Sequence, residues 1–262
     1  MAEQKYFAGI DIGSTASKTV ILSEEKVIDA MTLPTGWNGR ETALRIYESL
    51  SEKGYVESMR CIATGYGRVC VDYADKIVTE ITCHGRGAWA LFKKNCTVID
   101  IGGQDTKMIA VENGQVKDFL MNDKCAAGTG KFIEVMATRL GASLDEMYAL
   151  AKHGQPLAIS SMCTVFAESE VIGHIGSGQK REDIAAGVIA SVADRTAGLA
   201  KRFGIGDTVV LTGGLSASPY FVEILAQKLG VPVEAHPFGR YAGAFGAALT
   251  AGKLKYAEVG DR

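Results

Sequence analysis

Thr97-Val98-Ile99-Asp100-Ile101-Gly102-Gly103-Gln104-Asp105-Thr106-Lys107-Met108-Ile109 reads as an apolar strand, a polar turn opened by Asp-Ile-Gly, and a second apolar strand. The unit occurs once before. Ile10, Asp11, Ile12, Gly13 and Lys18 match Ile99, Asp100, Ile101, Gly102 and Lys107 at one constant offset of 89 residues. A strand–turn–strand unit repeated at a fixed distance predicts two domains of related topology. The first is expected over 1–95 and the second over 96–240.

Outward from the two turns, apolar runs bounded by turn residues predict strands. In the first half they lie at 6–12, 19–22, 27–33, 60–64 and 77–81; in the second at 116–120, 208–211 and 231–235. Helical spacing predicts helices over 41–53 (Ala43, Leu44, Ile46, Tyr47, Leu50), 83–94, 144–152, 181–203, 219–229 and 241–251. Acidic Glu182 and Asp183 open the long helix and basic Lys201 and Arg202 close it, as its dipole favours. The tail 253–262 is expected to fray. Strands and helices in this order predict an α/β protein with a mixed sheet in each domain.

Composition excludes several classes. A net charge of −2 offers nothing to nucleic acid or a membrane surface. No apolar run approaches the roughly 20 residues of a membrane span, and the start of the chain lacks a leader pattern. A cytoplasmic protein is expected. The cysteines at 61, 70, 83, 96, 125 and 163 form no CxxC pair, which argues against a zinc ribbon or a thioredoxin motif. The four histidines show no ligand spacing.

A strand that ends in Asp-x-Gly and reverses over small polar residues is suited to phosphate. Glycines let backbone N–H groups approach the anion. Hydroxyls of Ser14, Thr15 and Ser17 add donors, and the aspartate can hold Mg²⁺ through water. One such turn is also an ordinary turn. Two at a constant offset, with the later Thr212-Gly213-Gly214, predict nucleotide binding.

Two cysteines have distinctive addresses. Cys125 lies in the small-residue stretch 121–132, MNDKCAAGTGKF, before the helical spacing of Phe132, Ile133, Met136 and Leu140. Cys163, in SSMCTVFAESEVIGHI at 160–175, precedes Phe166, Val171 and Ile175. A helix N-terminus presents unpaired N–H groups and partial positive charge, which favours a thiolate or an anionic metal–sulfur group. Two such cysteines are half of a four-thiolate iron–sulfur site, and a symmetric dimer would supply four. The plainer reading of a lone cysteine, as a small buried hydrophobe, stands beside this one.

The motifs DIGSTASK (11–18), ATGYGR (63–68), DIGGQD (100–105), MNDKCAAGTG (121–130), CTVFAESEV (163–171) and TGG (212–214) together resemble the activators of 2-hydroxyacyl-CoA dehydratases. These activators, also called component A, belong to the BadF/BadG/BcrA/BcrD ATPases within the actin, chaperone and acetate/sugar kinase superfamily. The resemblance implies two ribonuclease-H-like (actin-like ATPase) domains with mixed sheets flanking a nucleotide cleft. A helix at about 241–262 would pack back on the first domain, with its small residues at 242–248 crossing the stretch 80–88. Asp11, Gly13, Ser14, Thr15, Ala16 and Lys18 would form one phosphate clasp, and Asp100, Gly102, Gly103, Gln104 and Asp105 the other. Gly213 and Gly214 would meet the adenosine. Asp11 and Asp100 would carry Mg²⁺ through water. Hydrolysis of ATP to ADP and phosphate would fall to Asp11, Asp100, Gln104 and Glu80, the last placing the attacking water; a solvated surface role for Glu80 is equally open.

The same resemblance implies one oxygen-sensitive [4Fe–4S] cluster per homodimer, held by Cys125 and Cys163 of each subunit. ATP turnover would drive one electron, supplied by a ferredoxin or flavodoxin, into a partner iron–sulfur enzyme. That partner would be a 2-hydroxyacyl-CoA dehydratase, a benzoyl-CoA reductase or a double-cubane-cluster protein. A small-molecule kinase of the same superfamily would explain the Asp-x-Gly turns but not the paired cysteine addresses. A nucleotide switch or filament protein would need neither cluster nor acceptor.

Overall fold

The computed structural model describes residues 5–159 and 163–254. The expectations for 160–162 and for the tail beyond 254 lie outside the described residues. In chain order the elements are β1 (Tyr6–Ile12), β2 (Ala16–Ser23), β3 (Lys26–Pro34), α1 (Gly39–Glu52), β4 (Met59–Thr64), β5 (Lys76–Ile77) and α2 (Glu80–Phe92). There follow β6 (Cys96–Ile101), β7 (Thr106–Glu112), β8 (Gln115–Asn122), α3 (Gly130–Arg139), α4 (Leu144–Ala151), α5 (Thr164–Gly176), α6 (Arg181–Phe203), β9 (Val209–Gly213), α7 (Pro219–Leu229), β10 (Val233–Ala235) and α8 (Ala242–Ala251).

The chain divides into two compact units. One comprises Met1–Asn95, Val111–Lys117 and Arg240–Arg262; the other comprises Cys96–Ala110 and Asp118–Gly239. Val111–Lys117, the tip of the β7–β8 hairpin, thus groups with the first unit, where Gly114 backs onto the Trp89 ring.

Each half builds a five-stranded sheet, in the orders β3-β2-β1-β4-β5 and β10-β9-β6-β7-β8. These are one order read in opposite directions, as the repeat requires. β1 is antiparallel to β2 and parallel to β4, and β6 is parallel to β9, so the sheets are mixed. In the first unit Ile10, Ile12, Ile46, Leu50 and Cys61 fill the core beneath α1. The larger core of the second gathers Ile99, Ile101, Phe132, Met136, Val188, Val192, Leu211 and Phe221 from its sheet and helices. Among the described residues no helix is long and apolar enough to cross a membrane.

In the first unit α2 and α8 cross at backbone contact. A Cβ at Gly87 would collide with the Ala242 carbonyl, and one at Gly246 with the Cys83 carbonyl. The small-residue crossing expected between these stretches therefore forms, and glycine is what allows it.

Several boundaries differ from the sequence reading, and β2 begins at Ala16, three residues before the expected strand. The strand expected over 77–81 stops at Ile77, and α2 begins at Glu80. The Thr79 side chain accepts from the Thr82 backbone N–H, and this cap converts the apolar run into a helix start. The last strand begins at Val233 rather than at 231.

The 89-residue repeat also reaches the hairpin tips. Asn113 (φ 50°) and Gly114 (φ 74°) form a two-residue turn with both φ positive; at the same offset Glu24 (φ 49°) and Glu25 (φ 64°) do so without a glycine. Left-handed backbone costs a side-chain-bearing residue about 1–2 kcal/mol. Replacing Glu25 by Gly is therefore expected to stabilise the protein by about 1 kcal/mol, raising the melting midpoint by roughly 2–4 °C. A thermal melt of Glu25→Gly checks this; an unchanged or lower midpoint would contradict the strain.

Candidate nucleotide and cysteine site

The first turn joins β1 to β2, where Asp11 lies opposite Lys18. Gly13, Ser14, Thr15 and Ala16 are half-buried in the turn. Thr35 braces them: its hydroxyl donates to the Gly13 carbonyl (2.7 Å) and its N–H to the Thr15 carbonyl (3.0 Å). Thr35 Oγ1 also lies 2.8 Å from Ser17 Oγ. Ser17 is buried, so it holds the turn from behind; the expectation that it offers a donor to phosphate is corrected here. Lys18 Nζ donates to the Ala16 carbonyl (3.1 Å).

The Asp11 carboxylate sits in a narrow, buried slot. A Cβ at Gly65 (φ +87°) would collide with Oδ1, and one at Gly243 would lie 2.7 Å from both Oδ2 and His84 Nε2. His84 Nε2 itself stands 3.9 Å from Oδ2. Glu80 occupies the first turn of α2, one helical turn before His84, and so shares the face that His84 presents. His84 and Thr35 escape sequence reading because their partners lie far away in the chain.

The second turn joins β6 to β7. Asp100 is buried, Gly102 and Gly103 are half-buried and Gln104 is exposed. The Gly102 N–H donates to the Asp105 carbonyl (2.9 Å) and closes the turn. Asp100 Oδ1 accepts from Thr212 Oγ1 at 2.8 Å. Its Oδ2 lies 3.5 Å from Lys107 Nζ, which is also 2.7 Å from Asp105 Oδ2. The β6–β9 register sets Asp100 beside Thr212 and Ile101 beside Gly213, bringing the Thr-Gly-Gly stretch to the second turn. Gly213 ends β9 and Gly214 opens a 3₁₀ turn, Gly214–Ala217.

From this turn the backbone leads directly to Cys125. The Gly130 N–H donates to the Gly102 carbonyl (3.0 Å) and the Lys131 N–H to the Gly103 carbonyl (2.9 Å). Thr129 is fully buried, and its hydroxyl contacts the carbonyls of Gly103 (2.9 Å) and Ala126 (2.7 Å). Thr106 Oγ1 donates to the Gly128 carbonyl at 2.8 Å. Cys125 precedes a single 3₁₀ turn, Ala126–Gly128, rather than α3 itself. The expectation of unpaired α3 N–H groups facing Cys125 is thereby corrected: those of Gly130 and Lys131 are taken by the second turn.

Cys163 stands directly at the N-cap of α5, which packs against α3. Cys163 is exposed and Cys125 half-buried. Cys61, Cys83 and Cys96 are buried. Burial pushes the thiols of Cys61 and Cys83 up, the latter to about 12, so neither is a thiolate near neutrality. Cys70 lies against Gly39, whose Cβ would sit 3.3 Å from its sulfur. Cys125 and Cys163 thus stand at the starts of a 3₁₀ turn and of a helix in the second unit, and two thiols are half of what a four-thiolate cluster requires. Beyond Cys163, α5 exposes Val165, Phe166 (68% exposed), Ile172 and Ile175, while Ala167 and Val171 are buried.

Comparison with known proteins places these features in context. The BadF/BadG/BcrA/BcrD ATPase family matches over residues 8–251. The (R)-2-hydroxyglutaryl-CoA dehydratase activating ATPase of Acidaminococcus fermentans is 46% identical over 253 residues, covering 95% of this chain and 97% of that protein. The crystal structure of component A from that organism superposes with a TM-score of 0.88 at 44% identity, covering 95% of this chain and all of the other. The activator of 2-hydroxyisocaproyl-CoA dehydratase from Clostridium difficile, solved with bound ADPNP, gives a TM-score of 0.87 at 41% identity over 94% of each chain. A ROK family glucokinase from Streptomyces griseus shares the fold alone, with a TM-score of 0.59 at 15% identity over 96% of this chain and all of that one. The fold is that of the actin-like ATPases, and with the family match covering nearly its whole length the chain belongs to the BadF/BadG/BcrA/BcrD ATPase family.

Proposed function

We propose that this protein is an ATP-dependent one-electron donor that reduces a partner iron–sulfur enzyme, such as a 2-hydroxyacyl-CoA dehydratase. The observation that carries the reading is the hydrogen-bonded joint between the 102–105 turn and the Cys125 loop. It supports one chain of contacts from a phosphate-binding turn to a metal-binding thiol. The activator names of relatives at this level of identity support the same reading.

Asp11, Gly13, Ser14, Thr15, Ala16 and Lys18 bind and orient phosphate from the first turn, with Asp100, Gly102, Gly103, Gln104 and Asp105 doing so from the second. Mg²⁺ is carried through water by Asp11 and Asp100. Gly213 and Gly214 receive the adenosine, and Glu80 orients the attacking water. Cys125 and Cys163 of two chains hold one [4Fe–4S] cluster, which when bound supplies a low-potential electron. The exposed apolar face of α5 supports a homodimer, because it begins at a ligand and leaves large side chains to be covered. A ferredoxin or flavodoxin supplies the electron. Nucleotide acts on the cysteine loop only through a difference in affinity between two arrangements of the turn, and by reciprocity the partner alters nucleotide affinity by the same factor.

Two outcomes test the reading. Protein purified without oxygen should carry about four irons per dimer. Cys125→Ala or Cys163→Ala should lose them, because each removes two of four ligands, while Cys61→Ala and Cys96→Ala should keep them. Iron retained in Cys125→Ala would refute the ligand set. Separately, Asp11→Asn should slow ATP hydrolysis by about 100-fold or more with iron content unchanged. Hydrolysis at the normal rate would remove Asp11 from the reaction.

A further inference from the structure

We propose that Lys107 occupies, in the nucleotide-free protein, the place a divalent cation would otherwise take between Asp100 and Asp105, so that Mg²⁺ enters only as part of a metal–nucleotide complex. The inference rests on the ATP reading above and assigns a role to a residue outside the phosphate clasp.

Lys107 is 3% exposed. Its ammonium lies 2.7 Å from Asp105 Oδ2 and 3.5 Å from Asp100 Oδ2, while Thr212 holds the other Asp100 oxygen at 2.8 Å. Two carboxylates converging on one buried point are part of what a hard divalent cation needs. Here a tethered ammonium already neutralises them. Among the described residues no three His, Cys, Asp or Glu side chains are grouped to hold a metal. The missing ligands are oxygens of water and phosphate, and the nucleotide brings the latter.

The repeat supplies an internal control. Lys18 holds the same register opposite Asp11, yet its Nζ turns to the Ala16 carbonyl at 3.1 Å. At the 89-residue offset Ala16 is the counterpart of Asp105. The hairpin therefore does not itself force a lysine between acids. The second acid, present in one turn and absent from the other, accounts for the difference. Without Lys107, the buried Asp100 and the half-buried Asp105 would lose the cation between them, which strengthens the attraction for another one.

The test is a Mn²⁺ titration followed by electron paramagnetic resonance, on the anaerobic full-length protein with and without an ATP analogue. Wild type should bind Mn²⁺ weakly alone and tightly with nucleotide. Nucleotide-free Lys107→Met should bind Mn²⁺ about tenfold or more tighter than nucleotide-free wild type, whereas Lys107→Arg, which keeps the charge, should not. No gain in Lys107→Met overturns the inference, and the ATP reading survives if wild type still binds Mn²⁺ with nucleotide. Should Lys107→Met fail to fold, wild type alone decides: equally tight Mn²⁺ binding with and without nucleotide overturns the inference. A wild type that binds no Mn²⁺–nucleotide complex overturns both.

Discussion

The carbonyls of Gly102 and Gly103 accept hydrogen bonds from the Gly130 and Lys131 N–H groups and from the Thr129 hydroxyl, and the second unit's chemistry hangs on that joint. The first N–H groups of a helix need partners, and here a neighbouring turn supplies them. Each bond contributes only about 1 kcal/mol net, but stranding a buried donor costs more, so turn and helix start shift together or not at all. Thr129 is the hinge pin of this arrangement, because its hydroxyl bridges the turn to the loop that carries Cys125. The hydrogen bonds run without a break from the 102–105 turn to the loop of Cys125, which is more than proximity.

The two Asp-x-Gly hairpins show how far one backbone plan can diverge in electrostatics. Strand order and turn length are preserved down to the tips at Glu24-Glu25 and Asn113-Gly114. Yet Asp11 faces a histidine between glycine walls, whereas Asp100 is clamped by a threonine and a lysine. The repeat delivers two Asp-x-Gly turns; a few substitutions around them make one a tight slot and the other a neutralised pair.

Much of this was legible in the chain. The constant offset between Asp11 and Asp100 predicted two domains of related topology, and apolar runs such as 208–211 marked strands. The α6 boundaries accorded with its charge pattern, acidic at the start and basic at the end. What stayed hidden depends on distant partners. Nothing local says that Thr35 braces Gly13, that His84 turns to Asp11, or that Lys107 pairs with Asp105. The start of α2 was misread because five apolar-rich residues fit either element, and one threonine side chain decided between them. The Cys125 setting was half legible: the small-residue loop was apparent, but the diversion of the α3 donors was not.

The contrast among the cysteines has a consequence for damage. Cys61, Cys83 and Cys96 are sealed in the cores, and at neutral pH the first two are held as unreactive thiols. An oxidant arriving from solvent therefore meets the exposed Cys163 first, and the half-buried Cys70 and Cys125 after it. Damage at such sulfurs is chemical rather than structural at its first stage, and as long as it has gone no further than disulfide or sulfenic acid, thiol reductant reverses it.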